Sequence, residues 1–239
     1  MQTLDTVDIA FITETWLTDF TGLTTNTIKG YGFNILRTDR GGRGGGIAVI
    51  HKYIDCKIKV FPLYVNPPVT SFEYQVTRIP TNRETYCLIC IYRKQEIHVS
   101  VFLSEIDTLL DQVTKKLDDT IIVLGDFNIH FDVRERASLN AAVVFGIYQL
   151  KPSVTEPTHK KGHTLDQIFY NRDILDFPIE PYVCTEITCS DHYPIFFRIP
   201  HNRENNKTSN FKETIHYRKL KQVDIDAFRQ TVLDNLTLW

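Results

Sequence analysis

Two polar residues that could do chemistry, Asp126 and Asn128, follow directly after the apolar run Ile121–Leu124 and Gly125. Such a run is typical of a strand that is buried on both faces. Side chains two residues apart in an extended segment point the same way, so a carboxylate and an amide would lie side by side. The carboxylate could accept a proton or bind a cation. The same residues also suit a plain turn, and this stretch alone does not decide between the two.

Further polar side chains follow or begin other predicted strands, and groups at the ends of separate buried strands can converge on one cleft. Carboxylates with few sulfur or histidine donors suit a hard cation such as Mg²⁺ rather than Zn²⁺. Such a site implies metal-assisted phosphoester hydrolysis. Taken singly, each residue also has a structural explanation, such as a surface carboxylate, an edge aromatic or a turn. The residues concerned are Glu14, Tyr92, Asp166, Asp191 and His192.

The elements that must position these residues are mostly strands, which favours an α/β protein with mixed sheets. Apolar residues that recur every three or four positions predict helices at Val99–Leu117, at Ser138–Tyr148 with Ser138 as N-cap, and at Asp224–Leu236. The glycine-rich segment Asp39–Gly46 lacks the lysine and hydroxyl residue of a phosphate-binding P-loop, so it is interpreted as a flexible hairpin. The predicted strands are Val7–Thr13, Gly30–Asp39, Ile47–Lys52, Lys57–Phe61, Phe72–Ile79, Tyr86–Tyr92, Ile121–Leu124, one within Gly162–Tyr170, Tyr182–Val183 and His192–Ile199.

Composition narrows the class of protein. The 239 residues are 42% hydrophobic and carry a formal net charge of −2. The net charge therefore does not indicate nucleic-acid binding, and any basic surface that binds nucleic acid must be local. The chain shows neither a signal peptide nor an apolar run of membrane-helix length, and its five irregularly spaced cysteines fit reduced thiols. We therefore expect a nuclear or cytoplasmic protein that is not secreted. Cys87 and Cys90 lie three apart on one predicted strand, so they should face opposite sides and bind no metal together.

Six motifs occur in an order that resembles the endonuclease/exonuclease/phosphatase superfamily, and most closely the apurinic-type endonuclease domain of non-LTR (LINE-type) retrotransposons. They cover most of residues 7–200, and the GDFN and SDH motifs separated by an LD are the most specific part of the resemblance. The motifs are Phe11–Leu17 (FITETWL), Gly44–Val49 (GGGIAV), Ile91-Tyr92, Leu124–His130 (LGDFNIH), Thr164–Asp166 (TLD) and Ser190–Ile195 (SDHYPI).

The resemblance implies a four-layer α/β sandwich in residues 1–200, with two mixed β-sheets packed face to face and helices outside. A linker and a C-terminal helix would follow in residues 201–239. It also implies a Mg²⁺-dependent endonuclease that nicks DNA, with Mn²⁺ as the alternative metal. DNA would be the partner, no membrane would be involved, and a reverse transcriptase domain would belong to a longer parent polyprotein.

The resemblance also implies roles for the residues that match the motifs. Glu14 would be the main Mg²⁺ carboxylate, with Asp191 close to the metal. Asp126 would orient and deprotonate the attacking water, and Asn128 would hold that water or a phosphate oxygen.

A second group of matching residues would handle the phosphate. His192 would contact it and stabilise its developing charge, and Asp166 would fix the imidazole through its other nitrogen. Tyr92 would sit near the leaving oxygen, and Thr155 would be a further phosphate contact.

Two departures from the family pattern lead to further expectations. The pattern begins with one more strand, which carries an Asn of the metal site, and the chain as given starts after it. We expect Val7–Thr13 then to have an unpaired apolar edge, Glu14 to be held loosely and nicking to be slow. Arg93-Lys94-Gln95 stands where the pattern has Arg-Pro-Pro, which should be a local change. The competing interpretations are a catalytically silent truncated copy that acts at most as a binding module, and a phosphatase or other phosphodiesterase of the same fold.

Overall fold

A computed structural model describes residues 7–18, 28, 30, 32–40, 44–52, 58–81, 84–171 and 179–199 of the chain. The strands and helices in these residues follow the order of the sequence. They are β1 Ile9–Thr13, β2 Phe33–Thr38, β3 Ile47–Lys52, β4 Lys59–Val60, β5 Phe72–Pro80, β6 Thr85–Arg93, α1 Val99–Lys116, β7 Thr120–Asp126, α2 Arg136–Ile147, β8 Lys151–Pro152, β9 Asp166–Tyr170, β10 Tyr182–Val183 and β11 Ile195–Phe196.

The largest sheet has six strands in the order β4-β5-β6-β7-β9-β8. It is a mixed sheet, because β6 and β7 run parallel while the other neighbours are antiparallel. The predicted central strand is confirmed: Val123 packs in one hydrophobic cluster, and Ile122 and Leu124 pack in the other on the opposite face. A strand that is apolar on both faces must be packed on both faces, and the two hydrophobic clusters do this.

The two helices cover one face of this sheet. The amphipathic helix α1 buries Phe102, Ile106 and Leu109 completely against the sheet, and α2 adds Phe145 to the same cluster. Cys87 belongs to this cluster, whereas Cys90 packs in the cluster on the other face, as the strand alternation predicted. Among the described residues no helix has both the length and the apolar character needed to cross a membrane.

The other face of the six-stranded sheet packs against two small sheets. One is antiparallel with the order β1-β3-β2, and the other is the pair β10-β11. Ile9, Phe11 and Ile47 from the first and Ile195 from the second join Ile122 and its neighbours in one cluster. Within the described residues the chain therefore has helices, a mixed sheet and small sheets as successive layers.

The structure corrects the prediction for the first strand. The strand is Ile9–Thr13 rather than Val7–Thr13, and it is not buried on both faces, since Ile12 is 40% exposed. In the described part of the chain β1 pairs with β3 alone, so among these residues the main-chain N–H and C=O groups of its other edge have no partner strand.

Other boundaries also differ from the sequence predictions. Helix α2 begins at Arg136 with Glu135 as N-cap, because the Ser138 hydroxyl accepts a hydrogen bond from the Glu135 N–H at 3.1 Å from inside the first turn. The predicted strand His192–Ile199 is reduced to β11, with His192 forming a single bridge to His159. The antiparallel pairing of β2 with β3 fits the predicted glycine-rich hairpin. The predicted linker and helix in residues 201–239 fall outside the described residues.

Candidate active site

The strand register places four polar side chains in one row across the large sheet. Glu73 pairs with Tyr92, Tyr92 with Asp126, and Asp126 with Asp166. Neighbouring strands lie about 4.8 Å apart, and directly paired residues project from the same face. Tyr92 packs in the cluster that faces β1 and β3, so the row opens into the space between the sheets. The sequence indicated Tyr92, Asp126 and Asp166 as site residues, but it did not indicate Glu73.

Asp126 ends β7 and is held by the turn that follows. The N–H of Asn128 donates to Asp126 Oδ1 at 2.9 Å, and the Asn128 Nδ2 donates to Oδ2 at 3.2 Å. Asn128 has a φ of +49°, a left-handed conformation that asparagine tolerates better than most residues. The predicted neighbourhood of the two side chains is therefore present. It arises from the turn, because the strand does not continue past Asp126.

The Asn128 amide is hydrogen-bonded within the protein. Its Nδ2 also donates to the Arg93 carbonyl at 2.8 Å, and its Oδ1 accepts from Gln95 Nε2 at 2.6 Å. These partners orient the amide toward Asp126. In this arrangement Asn128 positions the Asp126 carboxylate. The Asn128 Oδ1 keeps a second lone pair, so the expected role of holding water or a phosphate oxygen stays a prediction.

Arg93 is a second support that sequence analysis did not assign to the site. It is 4% exposed, and its guanidinium donates from Nε to the Phe127 carbonyl at 2.6 Å and from Nη2 to the Asn128 carbonyl at 2.8 Å. A buried guanidinium needs such partners, and here they are the main-chain oxygens of the turn. The only sequence signal was its place directly after Tyr92.

The environment of Asp126 favours its protonated form. Burial, together with the negative charges of Asp166 and Glu14, raises the pKa of Asp126 to about 7, although His192 and the Asn128 N–H oppose this. Burial is the largest cause, since it removes the water that would solvate the carboxylate. A carboxyl group with a pKa near neutrality is suited to accept a proton from water.

His192 and Asp166 form the pair that the sequence predicted. The His192 Nδ1 lies 2.8 Å from Asp166 Oδ2, and this hydrogen bond raises the pKa of His192 to about 9 against the opposing effect of burial. The imidazole is therefore protonated at neutral pH, with Nε2 directed away from Asp166.

A buried threonine that the sequence did not indicate, Thr158, supports this pair, and the phosphate contact expected of Thr155 stays a prediction. The buried Thr158 Oγ1 accepts hydrogen bonds from the N–H groups of Leu165 at 3.0 Å and Asp166 at 3.1 Å. Thr155 is exposed on the segment between β8 and β9. Thr158 thus fixes the start of β9, from which Asp166 projects.

Asp191 lies beside His192 but is open to solvent, with 71% of its side chain exposed. Its Oδ1 accepts from the Ser190 hydroxyl at 3.2 Å, and its Oδ2 lies 3.4 Å from His159 Nε2. Slight burial pushes the pKa of Asp191 up, but hydrogen bonds from its own N–H, Ser190 and His159 hold it below the usual value. An ionised carboxylate facing solvent is free to bind a cation.

Glu14 follows β1 in a left-handed conformation with a φ of +51°. The next two N–H groups, of Thr15 and Trp16, donate to the carbonyls of Gly46 and Gly45 at 3.2 and 2.9 Å. The glycine hairpin is held in turn by Glu73, whose Oε2 accepts the Gly46 N–H at 2.6 Å. The position of Glu14 therefore depends on a main-chain contact with the hairpin.

Tyr92 connects Glu14 to the row on the sheet. Burial, a hydrogen bond with the Glu14 carboxylate and the nearby charge of Asp126 raise the pKa of Tyr92 above its ordinary value. The phenol therefore remains protonated and can donate a hydrogen bond at any physiological pH. Among the groups of potential metal ligands in the described residues, Asp126, Asp166 and His192 form one and His159, Asp191 and His192 another, while Glu14 is in neither.

Two exposed carboxylates offer the donor type that a hard divalent cation prefers, although they share no group of potential metal ligands in the described residues. Glu14 and Asp191 both offer exposed carboxylate oxygens, the ligands that Mg²⁺ prefers. Burial, together with the negative charges of Asp166 and Glu14, raises the pKa of Asp126, and a bound cation would offset those negative charges.

Comparison with known proteins concerns the family and the fold of the chain. The family model described as endonuclease/exonuclease/phosphatase family matches residues 1–192. A search of curated proteins gives no match.

Solved structures share the fold at low sequence identity. The endonuclease domain of TRAS1, a telomere-specific non-LTR retrotransposon, is 19% identical with a TM-score of 0.61, over 81% of this chain and 85% of that one. An AP endonuclease from Archaeoglobus fulgidus is 14% identical with a TM-score of 0.57, over 82% and 90%. The 3′ phosphatase NExo from Neisseria, bound to a product DNA hairpin, is 14% identical with a TM-score of 0.53, over 81% and 89%.

Proposed function

We propose that this chain, which belongs to the endonuclease/exonuclease/phosphatase family, is a Mg²⁺-dependent phosphodiesterase that nicks DNA. Members of this family are metal-dependent phosphodiesterases. The observation that carries the proposal is the contact between Asp166 and His192 beside Asp126, a buried carboxyl group whose pKa is raised to about 7. A proton acceptor and a protonated imidazole thus lie in one cleft, which is what hydrolysis of a phosphodiester requires.

Asp126 is the proposed general base. A water molecule beside its carboxylate gives up a proton to Asp126 as the water oxygen attacks phosphorus. The bond from phosphorus to the leaving oxygen of the DNA strand breaks, and that oxygen takes up a proton from solvent. The turn hydrogen bonds from Asn128 hold the carboxylate in place, and Arg93 holds the turn. Correct orientation of the base matters because small displacements from a productive geometry cost large factors in rate.

His192 is the proposed phosphate contact. Its protonated ring donates from Nε2 to a non-bridging oxygen, where negative charge develops, while Nδ1 stays bonded to Asp166. Tyr92, which remains protonated, donates a hydrogen bond near the leaving oxygen.

Glu14 and Asp191 would hold the cation, and Mn²⁺ would be an acceptable substitute for Mg²⁺ with the same oxygen donors. When bound, the cation supplies charge neutralisation at the phosphate and at the leaving oxygen. Glu14 and Asp191 are both exposed, so a cation from solvent can reach their carboxylates.

DNA is the proposed substrate, and a retroelement the proposed origin. The similarity to the TRAS1 endonuclease domain and to a DNA-bound NExo supports both ideas at the level of fold. The proposal extends to a four-layer sandwich for residues 1–200, to a parent polyprotein with a reverse transcriptase, and to action in the nucleus or cytoplasm.

The test is nicking of supercoiled plasmid with Mg²⁺ and with a chelator. We expect open-circle product only with the metal, and Asp126→Asn to slow nicking by roughly 10²–10⁴-fold without loss of folded structure. Asp118→Asn is the matched control, because it makes the same charge change at an exposed carboxylate before the other end of β7. If Asp126→Asn nicks as fast as Asp118→Asn, the assigned base is wrong. Phosphate release from a 3′-phosphorylated oligonucleotide without nicking would identify a phosphatase instead.

A further inference from the structure

Three side chains outside the proposed catalytic machinery come together on the surface beside it. His130, Asp132 and His163 each offer a ligand atom, and these atoms all lie within 4.8 Å of one another. The two imidazoles are stacked, with ring centroids 4.1 Å apart and an interplanar angle of 28°. We call these three residues the histidine cluster.

The fold presents the histidine cluster through a residue anchored in the core. Phe131 packs edge-on against Phe127 and Phe169, with centroid distances of 5.9 and 5.6 Å. Its N–H donates to the Thr164 carbonyl at 3.0 Å. Because Phe131 points inward, its neighbours His130 and Asp132 project outward on either side of it. Both are exposed, so they are accessible to a ligand from solvent.

Asp132 is oriented before any ligand arrives. Its Oδ1 accepts the Thr164 N–H at 2.9 Å, and its Oδ2 lies 3.2 Å from His163 Nδ1. A metal-binding carboxylate is commonly held in this way by a further hydrogen bond. The His163 carbonyl accepts the N–H groups of Thr158 and His159 at 2.9 and 3.0 Å, so the backbone that carries the second imidazole is fixed as well.

We propose that His130, Asp132 and His163 form a second metal site, which binds a borderline divalent transition-metal ion, with Zn²⁺ as the representative. Two imidazole nitrogens and one carboxylate oxygen are the donors such ions prefer, whereas Mg²⁺ prefers oxygen alone. Three protein ligands leave a fourth position for water. Zn²⁺ at about 2.0–2.2 Å from each donor brings the donors to roughly 3.4 Å from one another. Rotation of the exposed His130 and the half-buried His163 toward the fixed Asp132 would supply this contraction.

Occupation of this site would connect two segments that build the catalytic centre. His130 lies two residues after Asn128, and His163 lies three residues before Asp166. A metal shared by the histidine cluster therefore ties the turn after β7 to the segment before β9. Because the bound ion favours the folded chain, it raises the melting temperature by roughly 5–10 °C at a concentration about 100-fold above Kd.

The experiment measures Zn²⁺ binding to the tag-free, metal-stripped full chain by competition with a coloured chelator, in excess Mg²⁺. The variants are His130→Gln and His163→Ala, and the control is His98→Asn, which removes an exposed imidazole yet keeps a side chain that can cap α1. We expect one Zn²⁺ per chain. The two cluster variants should lose affinity by more than the roughly 10–100-fold that removal of an outer partner costs, while the control binds normally.

A second readout separates this site from the one beside Asp191. Co²⁺ bound through histidines gives a visible absorption band, which should vanish in His130→Gln but persist in His192→Ala. Zn²⁺ affinity and melting shift that are the same in His130→Gln and in the parent would overturn the proposal. Absence of any tight Zn²⁺ binding by the folded parent would overturn it equally. Because His130 is exposed, His130→Gln should fold normally, which circular dichroism checks.

Discussion

Gly125→Ala should damage this protein more than a single methyl group normally does. Gly125 lies within β7, one residue before Asp126, with a φ of +134°. A Cβ added there would lie 2.0 Å from the Ile91 carbonyl oxygen and 2.9 Å from the Ile91 carbonyl carbon and amide nitrogen. All three are main-chain atoms of the parallel neighbour β6, so no side chain can rotate to relieve the clash.

The magnitude follows from two separate costs. A positive φ costs an L-residue roughly 1–2 kcal/mol, and forcing extra volume into a packed interior costs roughly 1–3 kcal/mol. The free energy of unfolding should therefore fall by about 2–5 kcal/mol. Relief of the clash requires β6 and β7 to separate next to the paired residues Tyr92 and Asp126, so nicking should slow even where the chain remains folded.

The assay is urea unfolding followed by circular dichroism, with plasmid nicking measured on the folded protein. Gly146→Ala is the matched control, because Gly146 lies in α2 and an added Cβ would meet nothing within 4 Å. That change should stabilise the chain by about 0.5–1 kcal/mol, the opposite sign. A Gly125→Ala variant within about 0.5 kcal/mol of the parent would show that β6 and β7 are not packed as described here.

Three further predictions rest on single contacts. Alanine at Asp166 or at His192 should each remove most nicking, and the double variant should lose little more, because the two act as one unit; additive losses in nicking rate would refute the pairing. Glu73→Gln should raise the Mg²⁺ concentration for half-maximal nicking by roughly 10-fold or more, since Glu73 holds the hairpin beside Glu14; an unchanged Mg²⁺ dependence would remove it from the site. Burial raises the pKa of Cys90 to about 12, so at pH 8 a thiol reagent should label the exposed Cys189 and spare Cys90 until the chain unfolds. Peptide mass spectrometry measures the labelling of each cysteine, and equal labelling of the two in the folded state would contradict this prediction.

Hydrophobic pattern was sufficient to find most of the elements. The continuous apolar runs of the two central strands and the three-to-four-residue period of α1 placed them within a few residues of their observed bounds. The pattern did not show that the short apolar segment before Glu14 is not buried on both faces. Burial of such a segment depends on which strands lie beside it, and its own residues do not specify them.

The site was predictable where a residue type is unusual and not where it is ordinary. Asp126 and Asn128 after an apolar strand are distinctive. Glu73, in contrast, occupies a polar position in the strand FEYQVTRIP, as an exposed residue would. Only the register with Tyr92 brings it into the row. Thr158 was missed for a similar reason: a threonine between two strands is ordinary, and sequence does not show that its hydroxyl turns inward.

The row across the sheet also explains why its carboxylates can have different roles. Glu73 accepts the Gly46 N–H and lies 3.4 Å from Arg40, so its charge has partners. Asp166 is bonded to His192, which carries a positive charge at neutral pH. Asp126 lies between them, is 4% exposed, and among the described residues receives hydrogen bonds from Asn128 alone.

The three carboxylates of the row thus have different charged and hydrogen-bonding partners. Such differences separate their pKa values, and this separation assigns acid and base roles at neutral pH. Within the described residues Asp126 is the carboxylate with no cationic side chain bonded to it, and burial raises its pKa to about 7. It can therefore take a proton from water near neutral pH, whereas Asp166 serves through the imidazole it holds. Replacement of Asp126 should remove proton transfer itself. Replacement of Asp166 should act through His192, so its effect on nicking should disappear once His192 has been replaced.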